Sequence, residues 1–197
     1  MRFIDRVLQK WRVRKARRWI PAGARVLDIG CHQGELLRGL GDQIGPSVGY
    51  DPLARACAEP NFRLVPKLFP LPSPYEDASF DVVVMLATLE HIHDKEPFAR
   101  EFFRILRPGG RVIITVPSHW VDGIIHTLCR LGLADGMSLD EHHGFDPRTT
   151  PDIFGQGGFT LERWRRFQLG LNNLFVFRKP VEVRAAPTYP KALAYAC

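Results

Sequence analysis

Short apolar runs alternate with amphipathic stretches over residues 24–117. Runs rich in β-branched and large aliphatic side chains at 25–29, 47–51, 62–65, 80–86 and 110–116 each predict a strand. Val82-Val83-Val84-Met85-Leu86 shows no polar alternation, which suits a strand covered on both faces. Residues 34–40, 53–58 and 95–106 place apolar side chains at helical spacing. Strand and helix in turn predict an α/β fold with a doubly wound, largely parallel sheet. Four prolines between 66 and 74 predict an irregular loop.

The ends of the chain depart from this rhythm. Phe3, Ile4, Val7, Leu8, Trp11, Trp19 and Ile20 form a helical stripe that Pro21 stops, so 3–19 predicts an amphipathic helix across the sheet edge or over the ligand site. Residues 118–147 interrupt the alternation, read as helical over 120–133, and end in Glu141-His142-His143-Gly144-Phe145-Asp146-Pro147, the pattern of a lid or substrate insertion. A short helix at 149–155, a strand at 159–169, a turn at 170–173 and a strand at 174–178 close the domain. The expected organisation is a basic helix at 1–20, a catalytic domain at 21–179 and a poorly ordered Pro- and Ala-rich tail at 180–197.

One segment carries the chemistry. Val26-Leu27-Asp28-Ile29-Gly30-Cys31-His32-Gln33-Gly34-Glu35-Leu36-Leu37 reads as strand, glycine turn and helix. Glycine lets the backbone approach a ligand closely, and the helix start would point free amides at it. Val48-Gly49-Tyr50-Asp51 follows about twenty residues on and ends in a carboxylate suited to ribose hydroxyls. The pair predicts a nucleoside-containing cofactor. The dinucleotide fingerprint fails, because Glu35 stands where its third glycine belongs.

Asp28-Ile29-Gly30-Cys31-His32-Gln33-Gly34 instead resembles motif I of class I S-adenosylmethionine-dependent methyltransferases, in their small-molecule branch. Ser79 to Val84 with Leu89-Glu90-His91-Ile92, and Leu106-Arg107-Pro108-Gly109-Gly110 running into Arg111 to Pro117, resemble the family's fourth strand and its turn into the fifth. The resemblance covers roughly residues 20–117. It implies a Rossmann-like seven-stranded sheet of order 3-2-1-4-5-7-6, strand 7 antiparallel, with S-adenosyl-L-methionine as cofactor. It places Asp28, Gly30, Cys31, His32 and Gly34 at the cofactor's methionine end and Asp51 at its ribose. Pro52, Leu53 and Leu68 would lie beside the adenine, and the Leu86 and Ala87 carbonyls would receive the ammonium. Two positions depart from the family: His32 replaces a common glycine, and Val65-Pro66-Lys67-Leu68-Phe69 lacks the adenine-binding aspartate.

His91 follows the fourth strand and titrates near working pH, so it is the candidate general base, or else a histidine that caps its loop. His142 and His143 would reach the same pocket from the lid, or form an exposed loop pair. Asp94 with these histidines shows no metal-ligand spacing, and no metal is expected. Leu86-Ala87-Thr88-Leu89 is not the Pro-Pro-aromatic sequence of amino-methylating DNA enzymes, and no Pro-Cys pair serves a cytosine mechanism. The 165–173 stretch is similar to that of bacterial enzymes tailoring glycans, lipids or secondary metabolites. O-methylation of a small-molecule or lipid- or glycan-linked acceptor is therefore expected. The alternatives are an RNA methyltransferase using the basic arm and a non-catalytic methyltransferase-like subunit.

Bulk properties narrow this further. A chain of 197 residues fits one domain. Four scattered cysteines predict reduced thiols in a cytoplasmic protein. The basic N-terminus lacks the apolar core of a signal peptide. Net charge is +6, yet residues 1–20 carry eight basic side chains against Asp5 alone, so the remainder is close to neutral. That segment is expected to present a solvated face or to touch an anionic membrane, substrate or nucleic acid.

Overall fold

The computed structural model describes residues 3–118 and 145–181. His142, His143, most of the expected lid and residues 182–197 lie outside the described residues. The elements are α1 (Phe3–Arg17), β1 (Val26–Ile29), α2 (Glu35–Leu40), β2 (Ser47–Tyr50), β3 (Cys57–Ala58), β4 (Phe62–Val65), β5 (Phe80–Leu86), α3 (Lys95–Ile105), β6 (Leu106–Pro117), α4 (Thr150–Gln156), β7 (Thr160–Phe167) and β8 (Asn172–Arg178), with short 3-10 turns between some of them.

The strands form one sheet of order β3-β4-β2-β1-β5-β6-β8-β7. Without the two-residue β3, the order is the expected 3-2-1-4-5-7-6. β8 runs antiparallel to both β6 and β7, whereas β1, β2, β4, β5 and β6 are parallel. One face buries Leu27, Val83, Met85, Ile114 and Phe175 against Phe102 and Ile105 of α3 and Phe154 of α4. The other buries Val26, Val84, Ile113 and Val176 against Leu36, Leu37 and Leu40 of α2. Cover on both faces is what the unalternating apolar run of β5 requires, and each large side chain so buried contributes roughly 1.5–3 kcal/mol.

The structure corrects several boundaries. No helix forms over 53–58. Asp51 Oδ1 takes the Leu53 amide at 2.8 Å, the Gln33 side chain bonds both Leu53 O and Arg55 N, and Glu59 N closes a turn onto Phe62 O at 2.8 Å. Cys57–Ala58 then pairs antiparallel with β4. The last hairpin turns two residues earlier than expected: Gln168, Leu169 and Gly170 all have positive φ, so β7 ends at Phe167 and β8 begins at Asn172. β6 starts at Leu106 because that residue already pairs with Phe80.

α1 lies on a face of the sheet beside α2, not across an edge. Its Leu8 carbonyl accepts from Gln168 Nε2 at 2.8 Å, at the carboxyl edge of the sheet. Arg17 donates to Gln43 Oε1 at 2.7 Å, at the opposite edge. Ala16 is its one fully buried side chain among those described. No helix among the described residues is long and apolar enough to cross a membrane.

Candidate active site

The turn after β1 is built on backbone that only small or tolerant residues accept. Gly30 has φ 73°, and a Cβ there would lie 2.6 Å from Thr88 Cγ2. Gly34 has φ 78°, and its Cβ would meet Leu64 at 2.9 Å. The Gly30 and Cys31 amides both donate to Tyr50 O, which holds the turn against the end of β2. The Cys31 side chain points inward: its Sγ occupies the space a Cβ on Gly49 would need, and burial pushes its thiol up. Its carbonyl accepts from Gly34 N at 2.8 Å. Cys31 thus shapes the turn with its side chain, and its carbonyl keeps a second lone pair.

His32 adopts φ 49°, in the left-handed region that histidine enters more readily than most residues. Its Nδ1 lies 2.8 Å from Glu35 Oε1, which turns the ring toward α2. The expected row of open helix-start amides is partly taken: Gly34 N bonds Cys31 O, and Gln33 N bonds Glu35 Oε2 at 3.2 Å.

Asp51 ties the turn after β1 to the turn after β2. Its Oδ2 accepts the His32 amide at 2.8 Å and its Oδ1 the Leu53 amide at 2.8 Å. Each oxygen keeps a second lone pair for a ligand hydroxyl. Pro52 and Leu53 form the turn that follows, and Ala54 N closes it onto Asp51 O at 3.1 Å. Leu53 is strongly exposed and Leu68 is 77% exposed. Behind Leu68, buried Phe69 meets Tyr50 edge-on at 5.4 Å, and Tyr50 and Tyr75 share a hydroxyl contact of 2.9 Å, so the proline-rich loop has a rigid backing.

At the end of β5, Ala87 has φ 54° and its amide donates to both O and Oγ1 of Thr115, at 2.9 and 3.1 Å. Leu86 O accepts from Thr88 Oγ1 at 3.4 Å. Glu90 and His91 follow in a 3-10 turn, Leu89–His91, at the same carboxyl edge.

Two buried carboxyls dominate the electrostatics. Asp28 is 2% exposed and has no hydrogen-bond partner among the described residues. Burial first, then the charges of Glu35 and Asp51, push its pKa up to about 8. Glu90 was not singled out from the sequence. Its burial raises its pKa to about 7, against the opposing charges of Arg12 and Lys95, and its Oε2 is buried without a hydrogen-bond partner. Thr88 was missed as well, because its contact with Gly30 joins residues far apart in sequence. No cluster of metal ligands occurs among the described residues.

The structure therefore brings Asp28, Gly30, His32, Gly34, Asp51, Leu53, Leu86 and Ala87 to one edge, with His91 beside them. A family model described as a methyltransferase domain matches residues 2–163. The chain belongs to that family. A Mycolicibacterium smegmatis protein named "Probable S-adenosylmethionine-dependent methyltransferase" is 36% identical over 70% of this methyltransferase-family chain and 58% of its own length. The 27-O-demethylrifamycin SV methyltransferase of Amycolatopsis mediterranei is 32% identical over 75% of this chain and 62% of its own. This family member thus spans about three fifths of the length of those two relatives. An S-adenosylmethionine-dependent methyltransferase from Mesorhizobium loti shares the fold, with TM-score 0.61 and 16% identity, covering 84% of this chain and 96% of that one.

Proposed function

We propose that this chain is an S-adenosylmethionine-dependent methyltransferase that methylates an oxygen of a small-molecule or lipid- or glycan-linked acceptor. The observation that carries the reading is the buried Asp28 carboxyl, which has no hydrogen-bond partner among the described residues and feels the charges of Glu35 and Asp51, two residues before the glycine turn that packs on Thr88. Three carboxyls around a bare backbone turn suit a ligand that is cationic at one end and carries a sugar at the other. S-adenosylmethionine fits that description, and when bound it supplies an activated methyl group.

The residues divide the work. Asp51 accepts from ribose hydroxyls through its remaining lone pairs. Asp28 and Glu35 offset positive charge at the amino-acid end, with the Leu86 and Ala87 carbonyls at the mouth of β5. Exposed Leu53 and Leu68 give the adenine an apolar seat. Orientation of this kind accounts for roughly 7–11 kcal/mol of a displacement barrier, more than one general base supplies. His91 takes the proton of the acceptor hydroxyl, and neighbouring Glu90 adds negative potential when ionised. The oxygen named in the rifamycin relative's substrate supports an O-methyl acceptor.

Calorimetric titration with S-adenosylmethionine and S-adenosylhomocysteine tests the cofactor, and labelled methyl incorporation across a panel of hydroxylated acceptors tests the reaction. Micromolar binding of both ligands with label in an ether or ester product is expected. Absence of binding by either ligand overturns the reading.

A further inference from the structure

A groove of about 750 Å³ runs between α1 and α2. Val13, Leu36 and Leu40 supply apolar side chains along it, and Arg6, Lys10, Arg14, Arg17 and Arg38 line it as well. It reaches His32 of the β1 turn and Glu35 at the start of α2. Arg6, Lys10 and Arg14 recur at i, i+4 and i+8, so they form one row along the helix. The adjacent row is apolar: Val7 is 43% and Trp11 39% exposed. Beside it stands the β7–β8 turn, held to α1 by the Gln168–Leu8 hydrogen bond. At its tip Leu169 is 93% exposed with φ 56°, an apolar side chain carried into water on left-handed backbone that a bulky residue rarely adopts.

We propose that this face docks the chain on a bilayer containing anionic phospholipids. Arg6, Lys10, Arg14 and Arg17 hold lipid phosphates, and Val7, Trp11 and Leu169 enter the boundary between headgroups and acyl chains. Charge selects the partner: the first twenty residues hold more than the whole net charge of the chain, and cations near an anionic leaflet are each worth about 1 kcal/mol. Apolar side chains select the bilayer over a nucleic acid. Phosphate backbones reward cations and polar donors, and gain nothing from Val7, Leu169 or an apolar groove, whereas interfacial helices combine a basic face with Trp and aliphatic residues. The docked face opens toward the β1 turn, so a membrane-borne acceptor would approach the carboxyl edge of the sheet from this side. Docking itself is read without cofactor or turnover and stands apart from the methyl-transfer reading.

Vesicle flotation of the full chain tests it, with phosphatidylcholine alone and with phosphatidylcholine mixed with phosphatidylglycerol. Binding is expected to the mixed vesicles only, to weaken with salt, and to fall by at least about tenfold in Lys10→Glu/Arg14→Glu. A blue shift of tryptophan emission on vesicle addition should shrink in Trp11→Phe. Thermal unfolding equal to that of the unaltered chain shows that each variant folds. The proposal is overturned by no binding to mixed vesicles, equal binding to neutral ones, unchanged binding by the folded double variant, or salt-sensitive binding to an RNA oligomer that is tighter than binding to the mixed vesicles. Soluble glycerophosphate that binds as tightly as vesicles would assign the cations to a free phosphate ester and overturn it too.

Discussion

Gly30 and Thr88 stand so close that a Cβ on residue 30 would come within 2.6 Å of Thr88 Cγ2. The turn after β1 is thereby locked to the loop after β5, and the two lips of the cleft share one geometry. Gly30→Ala adds this overlap to the cost of a left-handed φ, about 1–2 kcal/mol by itself. The variant should lose S-adenosylmethionine binding in calorimetry. A second change, Thr88→Gly, should return part of its thermal stability and little of its affinity, because the backbone strain remains.

Asp51 bonds His32 N and Leu53 N at once. Asp51→Ala frees both segments and removes the ribose acceptor. Hydrogen bonds to a charged group are worth about 1.5–3 kcal/mol, so cofactor affinity should fall on the order of 10- to 100-fold by titration. Unchanged affinity would detach Asp51 from the ligand.

Asp28 sets a pH dependence of defined sign. Its folded pKa is raised to about 8, so between the ordinary carboxyl range and pH 8 the folded chain holds more protons than the unfolded one. Stability of the ligand-free chain therefore falls as pH rises through that window. A cationic ligand favours ionised Asp28, so cofactor affinity should rise with pH up to about 8, with proton release visible as a buffer-dependent binding enthalpy. Asp28→Asn should abolish the proton release and weaken binding.

His91→Ala should slow turnover by roughly 10²- to 10⁴-fold and leave the calorimetric affinity for S-adenosylmethionine nearly intact. Equal losses in both would make His91 a part of the scaffold and not a base.

Asp81 ties the start of β5 to its neighbours. Its carboxylate accepts Arg25 N at 2.7 Å and Arg25 Nε at 3.2 Å, and pairs with Arg107. Burial raises its pKa, but the Arg25 bonds and charge and the Arg107 bond outweigh that and hold it below the usual carboxylate range. This stability is present above the unfolded pKa and lost as pH falls through the folded one. Asp81→Asn should lower the melting temperature at neutral pH and flatten the acid limb of a stability profile.

Much of the scaffold was legible in the residues. Val82 to Leu86 announced a central strand because it lacks polar alternation, and Gly30 and Gly34 announced the turn after β1 because turn chemistry is local. The 53–58 helix failed for a physical reason: side chains from Asp51 and Gln33 capture the Leu53 and Arg55 backbone groups that a helix would use. The inward turn of the Cys31 side chain over Gly49 was not legible either, because it depends on packing between β1 and β2.

The sequence by itself determined the α/β class, the glycine turn and the concentration of positive charge in the first helix, since periodicity, φ tolerance and charge are properties of neighbouring residues; the strand order came with the family resemblance. Only the tertiary structure decided that Thr88 meets Gly30, that Glu90 is a buried carboxyl of raised pKa, and that Gln168 ties the β7–β8 turn to α1. Contacts and desolvation between distant segments exist only once the sheet has assembled.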